Sequence, residues 1–193
     1  MSQDRDWQEV AQLGLRLKKT IALVGLMGAG KTAVGTALAR KLNAPFLDSD
    51  EEIVKAANMS IAEIFERDGE SFFRQKESQV IARLLQGRPA VLSTGGGAFM
   101  SETNRREISR NGVAIWLDAD LDLLWARVRH KDSRPLLHTA DPYATLRNLY
   151  NQRRPFYALA DLTVKADPRY SVDEMAGAVL AILKTRPDVV EAM

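Results

Sequence analysis

Cysteine is absent from all 193 residues, which removes disulfide frameworks, thiolate zinc sites and cysteine nucleophiles from consideration. The absence fits a reducing compartment, and a cytoplasmic location is the expectation. An excess of charge of one sign is also missing: 27 Lys and Arg face 25 Asp and Glu, leaving a net charge of +2. No global field therefore draws the chain to nucleic acid or to an anionic membrane. A basic stripe with interleaved aromatics, the mark of a nucleic-acid surface, is lacking too. No apolar run approaches the ~20 residues of a membrane span. The opening MSQDRDWQEVAQLGLRLKKT carries acids and has no unbroken apolar stretch, so it reads as neither a secretory signal nor a transit peptide. Internal repeats and low-complexity tracts do not occur. What remains is a chain sized for one compact domain that buries about 70% of its unfolded surface.

Short apolar stretches alternate with helical periods along the chain. Ile21–Val24 reads as a buried strand, followed by a glycine-rich loop and a helix to about Leu42, which Asn43 and Pro45 end. Pro45 to Leu47 is a second strand, with Asp48, Ser49 and Asp50 at its end. Ser60 and Glu63 form a capping box for a helix holding Ile61, Ile64 and Phe65, and Gly69 breaks it before a longer helix from about Glu70 to Gln86. Strands at Ala90–Ser93 and Val113–Leu117 follow, then a helix over Leu121–Val128. His130 to Asp141 has no helical period and reads as a mobile surface loop. A helix from Pro142 to about Ala158, disturbed at Pro155, leads to a last strand at Leu162–Val164. Ser171 and Glu174 cap a final helix with Val172, Met175, Val179 and Ile182 on one face. For residues 1–18, with Trp7, Val10, Ala11 and Leu17 near helical spacing, two readings stand: a short amphipathic helix laid on the domain, or a frayed extension. Five apolar strands alternating with helices predict an α/β fold, a parallel sheet with helices on both faces in three layers.

Gly25-Leu26-Met27-Gly28-Ala29-Gly30-Lys31-Thr32 matches the phosphate-loop pattern at every fixed position and lies between a predicted strand and a predicted helix. Glycines there let backbone N–H groups converge on phosphate oxygens, and the helix start adds its positive dipole end. Lys31 reaches the β- and γ-phosphates and the Thr32 hydroxyl ligates Mg²⁺ in such loops, so ATP or GTP is the expected ligand. Asp48 and Asp50, one residue apart at a strand end, are expected on one face of an extended chain above the sheet. A helix-capping turn is the alternative. Three consecutive glycines, Gly95, Gly96 and Gly97, cost more backbone entropy than a turn requires. Either a ligand approaches the backbone closely there, or the run is a flexible turn into the next helix.

Taken together, GLMGAGKTAVG, LDSD, GESFFRQKE, LSTGGGAF, SRPLL and RRPFYALAD resemble the shikimate kinases, in order and over about Thr20 to Leu183. The resemblance implies a P-loop NTPase fold like that of nucleoside monophosphate kinases. Its parts are a five-stranded parallel sheet of order 2-3-1-4-5, substrate-binding helices and a closing lid, about residues 130–141. A domain over 19–193 after an extension at 1–18 is expected. The implied reaction is transfer of the ATP γ-phosphate to the 3-hydroxyl of shikimate, a step of chorismate and aromatic amino acid biosynthesis.

By the same resemblance, the loop residues Gly28, Ala29, Gly30, Lys31, Thr32 and Ala33 hold ATP. Thr32 and Asp48 serve Mg²⁺, Asp48 through water, and Asp50 binds the shikimate hydroxyls and orients or deprotonates the 3-OH. Arg74 and Arg153 hold the substrate carboxylate, Gly95, Gly96 and Gly97 line the substrate with the Gly96 N–H in contact, and Arg134 is the lid arginine. Lys31, Asp50 and Arg134 form the catalytic set. Arg127 and Arg169 are placed at the adenine, with a merely solvated Arg127 as the other reading. The residues support this independently, because a small polar ring with one carboxylate wants guanidinium forks at one end and an acceptor at the other. A monomer acting on ATP and shikimate is expected. The rivals are a gluconate or nucleotide kinase of the same fold and a non-catalytic nucleotide-binding regulator.

Overall fold

The computed structural model describes residues 14–131 and 134–193. Trp7, Val10 and Ala11, on which the amphipathic reading of the N-terminus rests, lie outside them, as do two residues of the expected lid.

The sheet is built from β-branched and aliphatic runs too short to be core helices. These are β2 (Thr20–Val24), β3 (Phe46–Asp48), β4 (Val91–Ser93), β5 (Gly112–Asp118) and β6 (Leu162–Lys165). All neighbours are parallel, in the order β3-β4-β2-β5-β6. Numbered among themselves, the five strands run 2-3-1-4-5, as expected. The central strands β2, β4 and β5 are buried along their whole length, as a sheet covered on both faces requires.

Seven helices are described: α1 (Lys31–Lys41), α2 (Ser49–Ala57), α3 (Ile61–Leu85), α4 (Glu102–Asn111), α5 (Leu121–Val128), α6 (Pro142–Tyr157) and α7 (Val172–Leu183). The chain steps one way from β2 to β3 and the other way through β4, β5 and β6. Right-handed crossovers therefore put α1 on one face and the helices between β3 and β6 on the other. Contacts of α1 with α7 and of α3 with α4 agree with that division. The reversal at β2 opens a crevice at the carboxyl edge of the sheet, where open α/β folds bind ligands. Register makes the edge level: Ser93 pairs with both Leu23 and Asp48, and Val24 pairs with Trp116. The loops after β2, β3, β4 and β5 consequently emerge side by side.

Several local expectations change. Leu15–Leu17 is a strand, β1, paired antiparallel with β7 (Val190–Ala192), so a helix does not extend through Leu17. Leu15 and Leu17 pack on the core while Arg16 points outward, a period of two and not 3.6. The final helix buries Met175, Ala176, Val179, Leu180 and Leu183, and Val172 beside the Ser171 cap is 48% exposed. The Ser60–Glu63 capping box forms, and Gly69, at φ 82° and ψ 173°, breaks the helical path within α3 where residues with a Cβ are disfavoured. Within the stretch read as an aperiodic loop, Pro135–Leu137 is a 3-10 turn that buries Leu137 against the core and leaves Leu136 outside.

Gly112 starts β5 opposite Thr20. A Cβ there falls against the Thr20 carbonyl oxygen, with the Ile108 carbonyl 3.3 Å away, and neither backbone atom can swing aside as a side chain would. Gly112→Ala is expected to cost about 2 to 3 kcal/mol of stability, the upper part of the overpacking range. A urea midpoint equal to that of the unsubstituted chain would refute this close approach.

Candidate active site

The phosphate loop leaves β2 at Gly25 and enters α1 through Gly30, whose φ of 92° is left-handed and which offers no side-chain cap. The first-turn N–H groups of α1 thus lack a side-chain acceptor, and no acid stands in that turn, so the helix start remains free for an anion. Gly28 packs closely on α5: a Cβ would sit 2.8 Å from Val128 Cγ1. From the same helix Arg127 Nη1 donates to the Gly28 carbonyl at 3.0 Å, so this arginine binds the loop and is not merely solvated. Thr32 and Ala33 are exposed on the first turn.

Lys31 folds back over the loop, donating to the carbonyls of Gly25 at 2.7 Å and Leu26 at 3.2 Å. Burial pushes its ammonium down from 10.5 to about 8. The charges of Arg134 and Arg153 push the same way, while Asp50 and Asp48 oppose them. Five groups from four separate stretches of sequence therefore gather around one ammonium.

Asp48 ends β3 and caps α2, its Oδ1 accepting from the N–H of Asp50 at 2.9 Å and of Glu51 at 3.3 Å. The helix begins at Ser49, so Asp50 lies in its first turn and the two carboxylates do not alternate along an extended chain. The capping alternative describes Asp48, because a strand that ends at a helix start has no room for a second extended residue. Burial, and then the charge of Asp48, hold the Asp50 carboxyl above its ordinary value, against Lys31 and Arg74.

The glycine run wraps past four side chains of the site. A Cβ on Gly95 would stand 2.9 Å from Asp50 Oδ1 and 3.2 Å from Glu77 Oε1, one on Gly96 3.1 Å from Arg153 Nη1, and one on Gly97 inside the Arg74 guanidinium. The close approach expected of a ligand is thus made first by the protein's own side chains. Ser49 Oγ accepts from the Gly95 N–H at 3.2 Å, and Thr94 Oγ1 donates to the Leu23 carbonyl at 3.0 Å, tying the run to α2 and β2.

Two site residues escape the sequence reading. Glu77 is 1% exposed, pairs with Arg74 Nη1 at 2.8 Å, and leaves Oε1 without a hydrogen-bond partner. Burial raises its carboxyl, opposed by Arg74. Its place one helical turn after Arg74 in GESFFRQKE is the signal that could have found it. Tyr157 donates to the Gly96 carbonyl at 2.6 Å. Arg134 buries its Nε without a hydrogen-bond partner. The Arg169 guanidinium binds Asp167 at 3.0 and 2.6 Å, and its side chain is 85% exposed. Among the described residues, no three His, Asp or Glu gather as a metal site, and no helix is long and apolar enough to cross a membrane.

A parallel sheet of this order, with a phosphate loop at its carboxyl edge and an acid and arginines facing it, defines a P-loop kinase. Comparison with known proteins narrows the class. The shikimate kinase family profile matches residues 27–184. The chain is 66% identical over 175 residues to a shikimate kinase of Ruegeria pomeroyi, covering 91% of this chain and 90% of that one. It is 65% identical over 180 residues to one of Cereibacter sphaeroides, covering 93% and 90%. A solved shikimate kinase from Acinetobacter baumannii, in complex with shikimate, superimposes with a TM-score of 0.81 at 35% identity, covering 93% of this chain and 98% of that one. The chain belongs to the shikimate kinase family.

The depressed Lys31 value has a signed consequence. Between about 8 and 10.5 the unfolded chain binds more protons than the folded one, so this group adds stability as pH rises through that window. Urea unfolding of the wild type and of Lys31→Met at pH 7 and pH 10 should show the wild type gaining relative to the variant at the higher pH. A difference independent of pH would contradict the burial of a charged ammonium.

Proposed function

We propose that the chain transfers the γ-phosphate of ATP to the 3-hydroxyl of shikimate, giving shikimate 3-phosphate and ADP, a step of chorismate and aromatic amino acid biosynthesis. The observation that carries this is the convergence of Arg74, Arg153 and Asp50 on the glycine run, beside a loop whose Lys31 feels Arg153 and Asp50. Two guanidinium groups suit a carboxylate, and an acid suits ring hydroxyls. The neighbouring structure from Acinetobacter baumannii holds shikimate, which agrees.

In this reading Arg74 and Arg153 take the substrate carboxylate, Gly95, Gly96 and Gly97 line the ring, and Asp50 accepts the 3-OH hydrogen bond. The hydroxyl oxygen attacks the γ-phosphorus, its proton passes to Asp50 or to the departing phosphate, and ADP leaves with the electron pair of the broken P–O bond. Desolvation makes Asp50 a stronger base than an exposed aspartate, although orientation contributes more than base strength in such transfers. Residues Gly28 to Ala33 cradle the phosphates and Lys31 turns from its carbonyls to the transferring group. Arg134, with a donor free at Nε, closes on the phosphates from a lid over 130–141. Arg127 and Arg169 flank the adenine. Domain limits of 19–193, a monomeric state and a cytoplasmic location complete the reading.

Thr32 and Asp48 would hold an Mg²⁺ ion accompanying ATP. Hard oxygen donors suit it, and it keeps waters and phosphate oxygens in preference to an all-protein cage, which fits one hydroxyl at Thr32 and one carboxylate at Asp48. When bound it neutralises charge on the phosphates.

An ADP-release assay with shikimate, quinate, gluconate and nucleoside monophosphates side by side should find turnover with shikimate. Turnover confined to gluconate or a nucleotide would sink the proposal. Arg74→Ala should weaken shikimate binding by about 2 to 5 kcal/mol, as a partly unpaired carboxylate in a closed site does, with the KM for ATP nearly unmoved. Arg134→Ala should lower kcat about 100-fold or more while shikimate alone still binds, because its contact grows in the closed complex. Equal losses in both measurements would remove the lid role.

A further inference from the structure

We infer that Tyr157 is a positioning residue for substrate recognition, holding the Gly96 peptide and the Arg153 guanidinium in one fixed arrangement. The inference rests on Arg153 holding the substrate carboxylate.

Arg153 and Tyr157 are four residues apart on α6 and so share a helix face. Tyr157 is 2% exposed. Its ring stacks on Trp116 of β5, centroids 6.2 Å apart and planes at 30°, and its hydroxyl donates to the Gly96 carbonyl at 2.6 Å. The place of a Cβ on Gly96 lies 3.1 Å from Arg153 Nη1 and 3.8 Å from the Tyr157 hydroxyl oxygen, with the Gly25 carbonyl at 3.9 Å. The hydroxyl thus stands where α6, the glycine run and the start of the phosphate loop meet.

Burial pushes the phenol up to about 12, and the Arg153 guanidinium beside it pulls the other way. At neutral pH the group is therefore a phenol with one proton, committed to the Gly96 oxygen. The hydroxyl thus lies between the Gly96 carbonyl, to which it donates, and the Arg153 charge that it feels, so one side chain relates the glycine run to the cation. The neighbouring Arg154 also anchors the helix, bonding Tyr150 at 2.6 Å and Asp118 at 3.4 Å with its guanidinium over Trp116. Pro155 directly follows the two arginines inside α6, where its ring removes a backbone bond. Side-chain bonds of Arg154 before the proline and Tyr157 after it anchor the helix across that gap.

Tyr157→Phe keeps the ring on Trp116 and removes only the hydroxyl. One unsatisfied carbonyl costs about 1 to 3 kcal/mol against the ~5 to 15 of a folded domain, so the variant folds, and a cooperative urea transition checks it. The KM for shikimate should rise about tenfold, the scale of one lost hydrogen bond to a charged group, with the KM for ATP changed less than about twofold. In Arg153→Ala the same substitution should add less than about twofold to the KM for shikimate, because residues acting as a unit are not additive. An unchanged KM in Tyr157→Phe, or a full tenfold loss on top of Arg153→Ala, overturns the inference while leaving the Arg153 assignment intact. A KM for shikimate unmoved by Arg153→Ala alone overturns that assignment and this inference with it.

Discussion

The site is short of negative charge, and most of its construction follows from that. Lys31, Arg134 and Arg153 crowd one place with Asp48 and Asp50 as the opposing charges, while Arg74 is matched by Glu77. Burial disfavours every charge in this space, lowering Lys31 and raising Asp50 and Glu77. Like-charged cations in a desolvated place repel strongly. A polyphosphate and a carboxylate relieve that repulsion, so the unliganded arrangement is itself a description of the ligands.

Holding such a set requires a rigid frame, and register provides it. Leu23, Ser93 and Asp48 stand level across three strands, so the loops that follow them begin at one height. From there short links finish the geometry: Asp48 caps α2 and places Asp50 on its first turn, Ser49 and Thr94 tie the glycine run down, and Arg127 holds Gly28 from α5. The Ile53, Ile64, Phe73 and Val80 cluster is separate from the main core. The helices that carry Asp50, Arg74 and Glu77 therefore share a small core of their own, while Ile81 and Leu85 at the end of α3 tie that helix to the main one.

The three glycines show how a functional sequence feature arises from crowding. Each occupies a spot where a Cβ would meet a different site residue. Small residues at this point let Asp50, Arg153 and Arg74 approach one stretch of backbone together. The entropic cost of ordering them is offset by a backbone that can be approached closely.

Local chemistry made much of this legible before any fold was known. The phosphate loop needs its glycines, Lys31 and Thr32 within eight residues of one another, and alternating strand and helix periods determine a parallel sheet, because both signals are short in range. Motif context in GESFFRQKE and RRPFYALAD singled out Arg74 and Arg153 as candidates. Glu77 and Tyr157 went unnoticed because each looks like ordinary helix surface or core until its partner, Arg74 or Gly96, is placed beside it. The strand at Leu15–Leu17 required Val190–Ala192 from the far end of the chain. Tertiary structure also decided that Asp48 caps a helix while Asp50 is buried beside Lys31, since the point where a strand becomes a helix depends on the neighbouring strand that ends level with it.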